Sequence, residues 1–331
     1  MTLLQRQHDR RSPRARRADE AGFSLPELLI STALMLIVSG VVTSALLQMT
    51  KAQSTIWNRT ELHSGVRSAT ELLQQEVGQA GRIALPAAVT VSTTAVSAGA
   101  TTAVLSSVTG MFVGENLVVD AGSAQETVHI SAINTATKTI TINNSLDATA
   151  TSLATSFLYG HSIGASVSVS GGFTTGVIPP AASPVNFSNG STATVLKLFG
   201  DINADGSMVY VEYTCDTAAG NLYRNMVAFD AVSKPTLTAA QVLLSNITAN
   251  PNSTPCFQYQ MDSSNTYVLD VAITMTVNTQ KVDPVTKQLQ TETKALLNVS
   301  PRNVVNTWEL AAHNAARVQS TPSTITTLIG L

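Results

Sequence analysis

The chain has 331 residues, of which 12% are charged and 44% hydrophobic; an average soluble domain is about 25% charged. Nineteen basic and 21 acidic residues leave a formal charge of -2, which argues against the clustered positive surface of a nucleic-acid-binding protein, so no nucleic acid is expected as a direct partner. Apolar content is too high for a disordered chain and too concentrated in one segment for a polytopic membrane protein.

Residues 1–22 carry Arg6, Arg10, Arg11, Arg14, Arg16 and Arg17 against Asp9, Asp19 and Glu20, a net of +3, while the other 309 residues carry a net of -5. A short basic head on an acidic body is the pattern of a targeting segment. It is followed by 23 positions without a charge, Leu28 to Thr50. As a helix they span roughly 34 Å, enough for a hydrocarbon core of ~30 Å. Arginines before this run and little charge just after it predict a cytoplasmic N-terminus, with the remainder on the far side of a membrane. No second run of that length occurs, so a single span is expected. In a secretory signal the small residue at the cut follows the apolar core. Here it precedes the core, in Ala21-Gly22-Phe23-Ser24-Leu25-Pro26-Glu27-Leu28. A carboxylate such as Glu27 costs about 2.5–3.5 kcal/mol at full membrane depth. Either it sits at the interface, where a helix N-terminus favours negative charge, or it has a partner.

At these residues the sequence resembles the type IV prepilin family, whose signature is a basic leader ending in Gly, then Phe, small or apolar residues, Glu and a long apolar helix. Gly22, Phe23 and Glu27 match the residue before the cut and the first and fifth mature residues. The resemblance implies that a prepilin peptidase cuts after Gly22 on the cytoplasmic face and N-methylates Phe23. It also implies that Glu27 pairs with the terminal ammonium of a neighbouring subunit. Pro26 departs from the commoner residue types, but a first helical turn tolerates proline. An uncleaved signal anchor is the alternative.

Past Lys51 the pattern becomes amphipathic. Ile56, Leu62, Val66, Ala69, Leu73, Val77 and Ala80 form an apolar stripe, and Arg59, Glu61, Arg67, Glu71 and Glu76 mostly take other faces. Gly78 and Gly81 provide a stop, so one helix from about 24 to 80 is predicted, with its second half packed on a head. Within the family, LLQQEVGQAGRI (72–83) resembles the helix end of PilW-like minor pilins and of the J-type pseudopilins of type II secretion.

From residue 82 the chain reads as β-rich, with turn residues every ten or so positions. Residues 116–143 fit a hairpin and a third strand, with turns at Asp120–Ala124 and Asn134–Thr137. Residues 88–170 read as an inserted small β module, and 171–191, with Pro179, Pro180 and Pro184, as a loop or linker. Strands follow in 192–199, 207–215, 221–229, 267–279 and 289–299, with a tight turn at Gly220-Asn221 and a loop at Asp283-Pro284. Trp308–Val318 reads as a short helix before a Ser/Thr-rich tail. The expected fold class is α+β and pilin-like: 1–22 leader, 23–50 membrane or filament-core half of the helix, 51–82 amphipathic half, 83–185 β-rich insert with its Pro/Gly loop, and 186–331 head.

Cys215 and Cys256 form an even pair in the expected exported head and read as a disulfide, with two free thiols as the alternative. Closing about 40 residues is worth roughly 3–4 kcal/mol in the chain-entropy model. Asp201, Asn203, Asp205 and Gly206, then Glu212, fit the spacing of a calcium loop. The strand-like Ser207–Thr214 stands where an exiting helix is required, and an Asx/Gly turn is the rival reading. No cofactor other than that calcium is expected. His8, His63, His129, His161 and His313 have no second ligand at metal spacing. No nucleophile-elbow, zinc-protease or phosphate-loop motif occurs, so no enzyme is expected. Trp57 and Trp308 read as packing residues.

The combined expectation is a minor-pilin-like subunit that waits in the inner membrane with its head in the periplasm and is then displayed in a pilus. Its partners would be the prepilin peptidase, other pilin or pseudopilin subunits, the inner-membrane assembly platform and membrane lipid. The rivals are a type II secretion pseudopilin and an adhesive module displayed on a filament.

Overall fold

A computed structural model describes residues 23–143, 156–181, 187–311 and 317–330; the expected leader, Gly22 included, lies outside these residues. The chain divides between Ser54 and Thr55 into two units. Helix α1 (Leu25–Gln79) belongs to both, and its bounds lie within one residue of the expected 24 to 80. Pro26 sits in the first turn, where no intrahelical N–H is lost. Three hydroxyls in the apolar stretch turn inward on the backbone: Ser31 donates to the Glu27 carbonyl at 2.7 Å, Thr32 to Leu28 at 2.9 Å and Thr50 to Leu46 at 2.8 Å. These polar groups are therefore satisfied without water.

From Thr55 onward α1 packs on a β-rich domain. Leu62, Val66, Ala69, Leu73 and Val77 are buried, and Ala80 just beyond the helix is buried with them, as the 3–4 spacing predicts. Leu73 alone removes enough apolar surface to contribute about 1.5–3 kcal/mol. Two expectations fail here. Ile56 and Trp57 are 61% and 76% exposed, because Asn58 takes the inward position one turn before Leu62. At about 100° per residue, Trp57 and Ile56 are then carried round to the outside.

The first sheet comprises β1 (Val89–Thr90), β2 (Thr102–Val104), β3 (Asn116–Val119), β4 (Glu126–Asn134), β5 (Thr139–Ile142) and β6 (Ser166–Val169), in the order β1-β6-β3-β4-β5-β2. Every pairing is antiparallel. Its turns fall at Asp120 to Gln125 and Thr135 to Lys138, close to those expected. Leu117, Val128, Ile130, Ile140, Phe157 and Val167 give this sheet a hydrophobic cluster of its own.

The second sheet, β7 (Val195–Gly200), β8 (Val209–Asp216), β9 (Asn221–Ala228) and β10 (Val242–Ser245), runs β10-β9-β8-β7. Alternation along β8 sends Val211, Tyr213 and Cys215 into the cluster that contains the α1 stripe, and Tyr210 into another. This sheet is covered on both faces. The third sheet holds β11 (Ile247–Thr248), β12 (Phe257–Met261), β13 (Val268–Asn278) and β14 (Thr291–Val299); β13 pairs with all three others. The short β10, β11 and β12 are not among the expected strands; β12 does alternate, but only over the five residues Phe257 to Met261, and β10 and β11 have no such run. Cys215 on β8 and Cys256 before β12 are disulfide-bonded with their Cα atoms 6.5 Å apart, which ties the second sheet to the third.

The C-terminal expectation needs correcting. Helix α2 is Arg302–Ala311 and α3 is Ser323–Gly330; residues 312–316 of the expected Trp308–Val318 helix lie outside the described residues. The Ser/Thr-rich tail is no loose end, since Ile325, Leu328 and Ile329 of α3 are buried against Phe173, Phe199 and Tyr210. The expected linker also differs. Gly172 to Pro179 has no regular structure but is buried throughout. It packs so closely on the end of α1 that a Cβ on Gly176 would lie 2.1 Å from the Gly81 nitrogen. Gly81 itself has φ +80°, the left-handed turn that ends a helix. Glycine at these two places is a requirement of contact and not a mark of a flexible linker.

Candidate functional site

From Phe23 to Thr50 every residue is exposed, including the large apolar side chains of Leu28, Leu29, Ile30, Leu36 and Ile37. One helix in the described residues, α1, is long and apolar enough to cross a membrane. A charge-free apolar helix that buries nothing within its own chain needs an apolar surrounding from elsewhere. Glu27 lies in its first turn, where a carboxylate suits the positive end of the helix dipole, and no described group pairs with it. Phe23 lies four residues before Glu27, just outside the helix.

The other end of α1 carries a buried charge cluster. Glu76 is 3% exposed and faces β8 and β9, where Arg224 Nε donates to its Oε1 at 3.0 Å and Oε2 at 3.2 Å. Arg224 Nη2 makes a further bond to Oε1, and the Tyr213 hydroxyl donates to Oε2 at 2.5 Å. Burial first, and then the neighbouring carboxylate, push the Tyr213 hydroxyl far above its ordinary range, so it remains a donor. The spacing counts Glu76 among charges that mostly take other faces of the helix, yet it is buried. Its position three residues after Leu73 and one before Val77 puts it inside the apolar stripe, which is the signal that would have found it. Asn303 of α2 donates to the Gly78 and Gln79 carbonyls at 3.3 and 3.2 Å, which closes the helix end.

The remaining candidates resolve into local structure. Asp201 is fully buried, and its Oδ1 accepts from the amides of Asp205 at 3.0 Å and Gly206 at 3.1 Å. Asp205 Oδ1 accepts from the Ser207 amide at 2.8 Å, and Asn203 is exposed. Glu212 is not brought to this loop. It sits on β8, bonded by the Tyr210 hydroxyl at 2.8 Å and Lys234 Nζ at 3.1 Å. The geometry is that of an Asx turn. Among the described residues no three His, Cys, Asp or Glu side chains gather to hold a metal.

His63 pairs with Glu292 at 2.6 Å on β14. His161 is buried, with Nδ1 3.1 Å from Asp120 Oδ2 and Nε2 2.8 Å from Glu126 Oε1. The two carboxylates lie on opposite ring nitrogens and so do not converge on one point. Glu126 also accepts the amides of Leu158 and Tyr159, so the trio fastens the chain before β6 to the β3–β4 turn. In comparisons with known proteins, no family model, curated protein or solved structure matches the chain.

Proposed function

We propose that the chain is a prepilin-like subunit, most similar in kind to PilW-like minor pilins, that is cut after Gly22, N-methylated at Phe23 and assembled into, or primes, a type IV pilus. The observation that carries this reading is the charge-free, wholly exposed α1 segment from Leu28 to Thr50, introduced by a basic leader and the Gly22-Phe23 and Glu27 spacing. The role is structural. The apolar half-helix waits in the inner membrane with the head outside the cytoplasm, and is then buried among neighbouring subunits, which keep its apolar surface from water in the filament and so supply cohesion. Glu27 sets register by pairing with the Phe23 ammonium of an adjacent subunit. Prepilin peptidase, other subunits and the inner-membrane assembly platform are the implied partners.

Glu27→Gln is expected to leave the subunit in the membrane and to lower its incorporation into filaments at least about tenfold, the equivalent of losing ~1.4 kcal/mol. Incorporation equal to wild type would overturn the role given to Glu27. A second reading, a pseudopilin of type II secretion, shares the N-terminal features and the LLQQEVGQAGRI helix end. Loss of twitching or DNA uptake on deletion supports the pilus, and loss of exoprotein secretion supports the pseudopilin. The first sheet, with its separate hydrophobic cluster, is the natural place for an adhesive surface on either filament.

A further inference from the structure

The β13–β14 loop and the adjacent turn of α1 form one end of the Thr55–Leu331 unit. Asn58 Nδ2 donates to the Lys281 carbonyl at 3.5 Å and Arg59 Nε to Gln290 Oε1 at 3.2 Å. Ile56 and Trp57 point outward on the helix, and Val282, Val285 and Leu289 point outward on the loop; all five are exposed, Val285 by 64%. Lys281 and Lys287 on the loop are exposed as well.

The loop's one acid is withdrawn. Asp283 is fully buried, and its Oδ1 accepts from the amides of Val285 at 2.7 Å and Thr286 at 2.8 Å. The Thr286 amide above all, with help from Thr55, Val285 and Gln290, holds its pKa down at about 2. The tip therefore presents apolar side chains and positive charge with its carboxylate used internally. The adjoining elements carry Glu61, one turn after Trp57 on α1, and Glu292 on β14, which is paired with His63.

We propose that this end is a membrane-interface collar: Val282, Val285 and Leu289, with Ile56 and Trp57, seat in the headgroup layer of the bilayer that the α1 segment crosses, and Lys281 and Lys287 bind its anionic lipid phosphates. The inference rests on the membrane reading of Leu28–Thr50. Thr50 precedes Ile56 by six residues, at most about 20 Å of chain whatever its path, so a spanning segment keeps this end within that reach of the lipid surface. Tryptophan beside valine and leucine, with lysines alongside, is the composition that membrane interfaces select. Asp283 is spent on shaping the loop, so no loop carboxylate is left to meet the anionic surface.

The test uses the full chain with Trp57 and Trp308 replaced by Phe and Val285 replaced by Trp as a reporter. It is placed in vesicles of phosphatidylethanolamine and phosphatidylglycerol carrying bromine near the lipid carbonyls. Bromine quenching of the indole at position 285, together with a blue-shifted emission, is expected. Lys281→Gln with Lys287→Gln is expected to lower the docked-to-free ratio about 30-fold, from the usual contribution of each lysine at an anionic surface. Release of the chain from vesicles by alkaline carbonate would overturn the membrane reading itself. Retention of the chain with an unquenched, unshifted indole would overturn the collar alone. A blue shift that grows with protein concentration and is insensitive to bromine would also overturn it, and would assign the surface to a second copy of the chain. Quenching unchanged by the double lysine substitution would overturn the assignment of the phosphates to Lys281 and Lys287.

Discussion

Arg224→Met is expected to destabilise the Thr55–Leu331 unit by about 3–5 kcal/mol, the usual cost of leaving a buried charge without its partner. Glu76 is almost without solvent contact, and removal of Arg224 leaves the Tyr213 hydroxyl as its one strong donor. The companion Glu76→Gln/Arg224→Met discards both charges and keeps an amide oxygen for Tyr213, whose buried hydroxyl would otherwise cost about 1–3 kcal/mol unmet. That double variant is expected to recover to within about 1–2 kcal/mol of wild type. Urea unfolding of a fragment beginning at Thr55, followed by circular dichroism, reads both values. A neutral Arg224→Met would mean that water reaches Glu76 and that the ion pair does not fasten the helix to its sheet.

Glu115→Gln is expected to stabilise the same fragment at pH 8 by several kcal/mol and to change little at pH 4.5. Glu115 is fully buried just before β3, with Oε2 accepting from the Phe112 amide at 3.2 Å and Oε1 without a partner among the described residues. Burial raises its pKa from 4.5 to about 8, against a smaller lowering by the Phe112 N–H. Between those pH values the folded chain keeps a proton that the unfolded chain has released. The stabilising contribution is therefore complete below about pH 4.5 and is lost as the pH rises to about 8. At about 1.4 kcal/mol for each pH unit between them, the loss is on the order of 5 kcal/mol. Glutamine has the shape of the protonated acid and does not titrate. The difference between the two proteins cancels other groups, including His129, whose imidazole burial holds below its ordinary range. The check is the difference in urea midpoint at the two pH values; parallel behaviour of the two proteins would show that Glu115 is hydrated.

Much of the fold could be read from the sequence where a period was long and uninterrupted. The Leu62 to Ala80 stripe and the strands of β3, β4, β5, β8, β9, β13 and β14 were legible because one side chain in two or in three to four had to be apolar. The buried Gly172 to Pro179 segment was not. Its glycines and prolines read as breakers, and only the approach of Gly176 to Gly81 shows that a bare backbone was needed there. Nor was α3, where the threonines of STITTLIG hid Ile325, Leu328 and Ile329 from a short helix. At the candidate site the reading of Gly22, Phe23 and Glu27 rests on a local spacing, and Gly22 lies outside the described residues. Glu76, Arg224 and Tyr213 were not legible, since their meeting depends on how a helix lies on a sheet. Trp57 was misplaced because hydrophobicity alone does not say which face of a helix will find a partner.

Processing as a prepilin, proposed above, is tested most directly by mass spectrometry of the mature N-terminus. A chain that begins at N-methylated Phe23, with residues 1–22 removed, is the predicted result. An intact Met1, or a cut within or beyond the apolar segment, would contradict it.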